Sequence, residues 1–198
     1  MKEIKNFFAK NKFLIIFLAI IIILGLWTIT AYNKFVSLDQ DINSKWSEVE
    51  NQYQRQADLI PNIVSTVSSA IKVETTFVKD VVAARTKWQS SKTIAEKDQA
   101  GVNMANGLGL FVNAVAENYP QLQANKQYIA LTDELSGTQN RVTVARGRYI
   151  ESIQKYNTAV KKFPGRIFAS IFGFSEKDYY KAELNAMKNP VLGTGILP

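Results

Sequence analysis

The chain has 198 residues and a formal net charge of +7, and it contains no histidine and no cysteine. The lack of cysteine excludes disulfides, and the lack of both residue types removes a standard member of zinc sites, Ser-His-Asp triads and Cys-His dyads. The basic residues are scattered among acids, which argues against a nucleic-acid partner. We therefore expect no catalytic, cofactor-binding or metal-binding residues, and we expect the protein not to be an enzyme.

An uncharged and mostly aliphatic run covers residues 13–33. At about 1.5 Å per residue it reaches roughly 30 Å, enough to cross the hydrocarbon core of a bilayer as one helix. A cleaved signal peptide is the competing interpretation, but the run exceeds the usual length of about 7 to 15 residues and no Ala-x-Ala site follows. The sequence predicts a retained transmembrane helix at residues 13–32.

The flanks of this run predict its orientation. Four lysines (Lys2, Lys5, Lys10 and Lys12) and one acid, Glu3, precede it, whereas the charges just after it nearly cancel. Because positive flanks stay on the cytoplasmic side, residues 1–12 are expected in the cytoplasm and the rest of the chain outside. The lipid bilayer is thus the first predicted partner.

The following region, residues 33–188, is expected to form one helical domain. From Tyr32 to Trp88 apolar residues recur at steps of three and four, which predicts a helix with a kink at Pro61. Two separate helices that meet at Pro61 are the alternative. Ser37 and Gln40 resemble a capping box, so the pattern leaves open whether the membrane helix continues into the domain or a new helix starts there.

Thr93 with Glu96 resembles another capping box and predicts a helix from Ile94 to about Asn118. Gly101, Gly107 and Gly109 weaken this helix, and they indicate either close packing against a neighbour or an irregular turn.

The most regular stripe follows Pro120 and predicts a long helix lying along another one. Its members are Tyr128, Leu131, Leu135, Thr138, Val142, Ala145, Tyr149, Ser152, Tyr156, Val160 and Phe163. Pro164 and Gly165 should end it. Residues 167–174 then either close the bundle or form an apolar patch for a partner or membrane. The uncharged tail at residues 189–198 is either disordered or a short docking segment.

Three stretches together resemble the LemA family: SLDQDINSKWSEVENQYQRQADLIPNIV, YPQLQANKQYIALTDEL and GTQNRVTVARGRYIESIQKYNTAVKKFPGRIFASIFGF. The resemblance implies an all-α antiparallel bundle of three to four main long helices, set on a single N-terminal membrane helix in bacteria. It implies no enzymatic activity. Some relatives belong to magnetosome membrane formation, which points towards membrane organisation.

Two polar signatures carry the resemblance. Arg55, Asp58, Pro61 and Asn62 fit the first, and Asn140, Arg141 and Arg146 fit the second. We predict a structural polar cluster of Arg55, Asp58, Asn62, Asn140, Arg141 and Arg146. In it Asp58 pairs with Arg141 or Arg146, while Asn62 and Asn140 satisfy backbone groups freed by Pro61. A polar ligand site and solvated faces are the alternatives.

Gln56 and Gln139 depart from the family pattern, which usually has Arg and Glu there. If the family forms an ion pair at these positions, a neutral hydrogen-bonded pair would replace it in this chain.

Functionally, the sequence predicts a single-pass membrane protein whose helical bundle, related to coiled coils, has an interaction or scaffolding role in the cell envelope. Other envelope proteins, or further copies of the chain, are the expected protein partners. A sensor bundle outside the cytoplasm that binds a small ligand is the alternative.

Overall fold

The computed structural model describes residues 12–71 and 75–179, and in these ranges all regular structure is helical. The all-α fold class is thereby confirmed. The elements are α1 (Lys12–Ala70), α2 (Thr75–Ser90), α3 (Ile94–Asn118), a 3₁₀ helix (Pro120–Ala124), α4 (Lys126–Lys161) and α5 (Gly165–Phe172). The predicted apolar tail at residues 189–198 and most of the predicted cytoplasmic N-terminus lie outside the described residues.

Helix α1 is one continuous element of 59 residues. It includes Ser37, so the new helix start that Ser37 and Gln40 resemble does not occur, because both residues lie inside a helix whose backbone bonds are already made. It also includes Pro61, which decides for a single helix over two helices meeting there. The kink at Pro61 stays a prediction. The apolar stripe expected to run to Trp88 is divided, since α1 ends at Ala70 and α2 begins at Thr75.

The two parts of α1 have opposite environments. Its apolar N-terminal part is exposed. A stretch of 18 residues in this part has a mean hydropathy of 2.9, and none of these residues is buried. By length and composition this part can cross a membrane. From Phe35 onward one side of α1 is buried at helical spacing, with core residues Phe35, Ile42, Trp46, Val49, Tyr53, Ala57, Ile60, Ile63 and Val67. The same helix therefore supplies both a candidate membrane span and core packing.

The described residues form two compact units. The first combines residues 12–43 with 151–178, and its core contains Phe35, Ile153, Tyr156 and Ala169. The second combines residues 44–71 and 75–150 with residue 179. Its core contains Tyr53, Ile60, Trp88, Met104, Leu108, Phe111, Leu122, Tyr128 and Val142.

Local signals set the ends of the later helices, and the capping box at Thr93 and the end of α4 before Pro164 are as predicted. Thr93 and Glu96 form the reciprocal capping box, in which the Glu96 amide donates to Thr93 Oγ1 and the Glu96 carboxylate accepts from the Thr93 amide. Helix α4 starts beside Asn125, whose Oδ1 accepts from the amides of Gln127 and Tyr128. It ends at Lys161, ahead of Pro164 and Gly165.

Most of the predicted α4 stripe is buried, including Tyr128, Leu135, Thr138, Val142, Ala145, Tyr149, Ser152, Tyr156 and Val160. Leu131 is only half-buried, and Phe163 lies beyond the end of α4 and is 83% exposed. Within the second unit α4 runs antiparallel to α1. The rings of Trp46 and Tyr149 are 5.4 Å apart, and farther along α1 the side chain of Arg55 shares a groove with Arg141.

The glycines of α3 differ in their surroundings. A Cβ atom at Gly101 would lie 2.7 Å from Cε2 and Cζ of Tyr53, whereas one at Gly107 or Gly109 would meet nothing within 4 Å. Gly101 thus permits the close approach that the sequence left open, and the other two glycines weaken the helix without such a contact.

Replacement of Gly101 by Ala should destabilise the second unit by about 1–3 kcal/mol, because the added methyl group forces the buried Tyr53 ring to move. Gly107→Ala is the matched control, and it should stabilise the chain by up to about 1 kcal/mol through helix propensity alone. Denaturant unfolding of the full-length protein in detergent, followed by circular dichroism, measures both. Equal shifts for the two variants would contradict the close contact.

Candidate functional site: a polar groove and a buried ion pair

A groove of about 780 Å³ lies between α1 and α4 in the second unit. Helix α1 contributes Gln52 and Arg55, and α4 contributes Asn140, Arg141, Val144 and Arg148, among others. Most of these side chains are exposed, so the groove is open to solvent along its rim. Val144 places an apolar side chain that is 54% exposed among these polar groups.

The charge in the groove is mainly positive. Arg148 Nη1 lies 3.7 Å from a carboxylate oxygen of Glu48, which is a long and exposed ion pair. Arg141 donates to Glu134 at 2.6 Å and to Thr138 Oγ1 at 3.1 Å, so its charge is also partly neutralised from its own helix. Arg55 has no acidic partner among the described residues. The groove thus offers guanidinium donors suited to carboxylates and amide carbonyls.

Two glutamines of α1, Gln52 and Gln56, have buried side-chain amide atoms without hydrogen-bond partners among the described residues. Gln52 Oε1, at the groove, is buried and has no hydrogen-bond partner among the described residues. Gln56 is fully buried, and neither of its amide atoms has a partner in the described part of the chain. The neutral pair between Gln56 and Gln139 is therefore not formed. A buried amide without a partner costs free energy, so Gln56 is a local weak point of the core.

The predicted polar cluster is only partly assembled. Arg55, Asn140 and Arg141 line the groove together. Asp58 and Asn62 are exposed, and Asp58 accepts a 2.8 Å hydrogen bond from Gln54 on its own helix.

The expected pairing of Asp58 with Arg141 or Arg146 is wrong, and helix geometry explains why. On α1 the core positions are Ala57 and Ile60, which turn Asp58 towards solvent. On α4, Arg141 and Arg146 are five residues apart, about 140° around the helix, so the two cannot serve one partner.

Arg146 instead meets an acid that the sequence reasoning did not single out. Its Nη2 donates to Asp98 Oδ2 at 2.9 Å, and the Tyr53 hydroxyl approaches Asp98 Oδ1 at 3.4 Å. Asp98 is 7% exposed. The three residues come from α3, α4 and α1, so they join three helices through one carboxylate.

Burial dominates the electrostatics of this triad. It raises the pKa of the Asp98 carboxyl above its ordinary value, although the Arg146 guanidinium and the Tyr53 hydrogen bond partly offset the rise. Burial, followed by the charge of Asp98, also raises the pKa of the Tyr53 hydroxyl. Shifted pKa values often mark functional sites, but Asp98 does not line the groove and is already paired. We therefore interpret the triad as structural.

One sequence signal could have identified Asp98. Counting three and seven residues onward from Asp98 along α3 gives Gly101 and Ala105, which are both buried. A carboxylate at helical spacing from small buried residues lies on the same buried face of the helix. Its charge then needs a cation from a neighbouring helix.

The sequence of this chain is similar to a protein family and to three characterised proteins. Residues 45–192 match the model of the LemA family. The magnetosome proteins MamQ 2 and MamQ 1 of Paramagnetospirillum magneticum are each 24% identical over 187 residues, covering 81% of this chain and 68% of theirs. The magnetosome protein MamQ of Magnetospirillum gryphiswaldense is 26% identical over 175 residues, covering 75% and 64% respectively. The groove and the triad both lie inside the matched range.

Replacement of Asp98 by Ala should lower the free energy of unfolding by about 3 kcal/mol, because it leaves the largely buried Arg146 charge without its acid. Asp58→Ala is the matched control, because it also replaces an aspartate. It should lower the free energy of unfolding by less than about 0.5 kcal/mol, since it removes one exposed contact within α1. Denaturant unfolding of the full-length protein measures both variants. A larger effect for Asp58→Ala would restore the pairing that the sequence predicted.

Proposed function

Because this chain belongs to the LemA family, we propose that it is a non-catalytic scaffolding protein of the cell envelope, anchored by α1 with its helical domain outside the cytoplasm. That it is a membrane-associated helical protein follows from the family, its MamQ relatives and the apolar helix. The relatives named as magnetosome proteins support a role at a membrane-bounded structure.

The observation that carries the proposal is the continuity of α1. The exposed apolar part and the buried stripe that starts at Phe35 belong to one helix without an intervening loop. A flexible tether would let a domain diffuse away from the surface, whereas a helix that continues from the membrane into the core holds the first buried residues next to it. Such a connection suits a protein whose work is done at the membrane surface.

The orientation rests on the flanking charges. The four lysines and one glutamate before the apolar run favour a cytoplasmic N-terminus, because positive residues next to a span are retained on that side. The domain after the run is then on the outer side. Trp27 and Tyr32 lie near the outer end of the span, where aromatic side chains are common.

A non-catalytic role agrees with the chemistry of the polar residues. The chain has neither histidine nor cysteine. The acid with the raised pKa, Asp98, is occupied by Arg146 and lies away from the groove. The groove itself presents arginines, which bind and orient anionic or carbonyl groups.

The groove is the surface that we assign to protein partners. Arg55 provides a guanidinium without an acidic partner among the described residues, and Val144 provides an exposed apolar contact beside it. An extended or helical segment that carries acidic side chains would match this combination, since arginine and apolar contacts together are typical of interface centres.

A sensor that binds a small ligand is the second candidate. Its supporting observation is the groove volume of about 780 Å³, which falls within the range of about 300–1,000 Å³ usual for small-molecule sites. We rank it second because such sites enclose most of the ligand, whereas most side chains at this groove are exposed. A sensor would be stabilised by its ligand in a concentration-dependent way.

Single cysteines introduced into this cysteine-free chain should report the orientation. A membrane-impermeant maleimide should label Glu151→Cys in intact bacterial cells, because position 151 is exposed on α4. It should label Lys5→Cys only after the cells are permeabilised. The reverse pattern would place the domain in the cytoplasm and overturn the proposed location.

Photo-cross-linking tests the groove as a partner surface. A benzophenone amino acid at Val144 should give a defined adduct in intact membranes, with a second copy or another envelope protein, identified by mass spectrometry after solubilisation. The adduct should be lost when Arg55 and Arg141 are both changed to Glu. The same amino acid at exposed Thr86 is the control, and equal adducts at both positions, or none at Val144, would contradict the scaffolding role of the groove.

A further inference from the structure

The short helix α5 is held firmly against the end of α4 in the first unit. Ala169 is buried, and a Cβ atom at Gly165 would lie 2.3 Å from the carbonyl oxygen of Ala159, so the two helices meet at close range. The segment after α5 is tied back as well. Asn157 exchanges hydrogen bonds of 2.7 and 2.9 Å with the backbone of Lys177. The position of α5 is therefore defined by the fold.

This position lies beside the apolar part of α1. The ring centroids of Phe168 and Trp27 are 6.1 Å apart, and those of Phe172 and Tyr32 are 5.2 Å apart. Trp27 precedes Lys34, the first charge after the span, by seven residues, or roughly 10 Å of helix. If residues 13–33 cross a bilayer, Phe168 then lies below the level of the first charged residue, at the depth of the lipid interface.

An exposed apolar face of α5 adjoins this contact. Ile167 and Ile171 are 51% and 67% exposed, and Phe163, just before α5, is 83% exposed. On a helical wheel Ile167 and Ile171 lie within about 100° of Phe168, while Arg166 and Ser170 occupy the opposite, polar side. Burial of apolar side chains is favourable by about 1.5–3 kcal/mol each, and within the described residues no protein group covers these three.

Exposed cations surround the same region. Lys34 and Lys162 line a groove of about 340 Å³ together with Trp27, Phe163 and Phe168. The nearby acids Asp39 and Glu176 are paired with Lys177 and Lys161. Lys34, Lys162 and Arg166 have no acidic partner among the described residues. Apolar side chains next to unpaired cations match the acyl chains and phosphate groups of an anionic lipid surface.

We propose that α5 is a membrane-interface helix. Phe163, Ile167 and Ile171 enter the leaflet that holds the C-terminal end of the α1 span, and Lys34 and Lys162 bind phospholipid phosphates. The inference rests on the proposed anchoring by α1, but not on which side of the membrane the domain lies. With two contacts to one leaflet, the first unit is fixed in rotation and tilt about the α1 span.

The full-length, cysteine-free chain in lipid nanodiscs tests this assignment. Ile171→Cys is labelled with an environment-sensitive nitrobenzoxadiazole dye, and Ser170→Cys on the polar side of α5 is the matched control. In phosphatidylcholine with phosphatidylglycerol we expect a blue-shifted, several-fold brighter emission at position 171 than at position 170. A lipid that bears a nitroxide quencher near its headgroup should quench only the dye at position 171. Circular dichroism checks that both variants fold.

The same dye at Ile20→Cys, inside the span, distinguishes a failure of the α5 inference from a failure of the proposed anchoring by α1. If position 20 is in lipid but positions 170 and 171 are equally aqueous, the inference fails and the anchoring stands. If position 20 is also aqueous, the anchoring itself fails. If the dye at 171 becomes brighter only at high protein concentration and lipid quenchers have no effect, a second copy covers the face, which also overturns the inference.

The predicted binding of lipid phosphates is tested by changing Lys34 and Lys162 to Gln together. Phosphatidylglycerol should raise the brightness of the dye at position 171 in the parent chain, and this increase should be lost in the double variant. An increase that is unchanged in the double variant would show that these lysines do not bind lipid phosphates.

Discussion

The main constraint on this structure is that one unbroken helix must satisfy two different solvents. In its first part α1 exposes aliphatic side chains on all sides, which water disfavours and a bilayer accepts. From Phe35 onward the same helix buries only one stripe and leaves polar residues on the other side. Helices α2, α3 and α4 contact that second part through Tyr53 and Trp46, whereas α5 contacts the end of the first part through Trp27 and Tyr32.

Burial of charge is the second determinant of the architecture. Asp98 is removed from water at a free-energy cost that raises its pKa, and only the contacts with Arg146 and Tyr53 make this placement tolerable. Because three helices meet at this one carboxylate, sliding α3 or α4 by a residue would leave a buried charge unpaired, and sliding α1 would remove the Tyr53 contact. The triad thus specifies helix register more than it adds net stability. Lys97 has a comparable role nearer the surface, where it contacts Glu50 and lies over the Trp88 ring.

The two units differ in their exposed side chains. The polar groove between α1 and α4 presents exposed arginines, whereas Arg146, on another side of α4, pairs with the buried Asp98. At the membrane end of the chain the exposed side chains are apolar and aromatic, with lysines beside them. The second unit at its groove and the first unit at α5 therefore differ in surface chemistry.

The sequence by itself determined the helical class, the candidate span, the capping box at Thr93 and Glu96, and most buried positions of α4, though not Ile153 and Asn157. These depend on signals within a few residues, namely helical period, caps and uncharged length. Only the tertiary structure decided that α1 continues through Ser37 and that Gly101 is the α3 glycine that meets a ring. It also decided that Gln56 has no partner in the described ranges and that Arg146 pairs with Asp98 instead of Asp58. Such choices depend on how each helix is rotated about its axis and on which neighbour it meets, and a periodic pattern in one helix contains neither quantity.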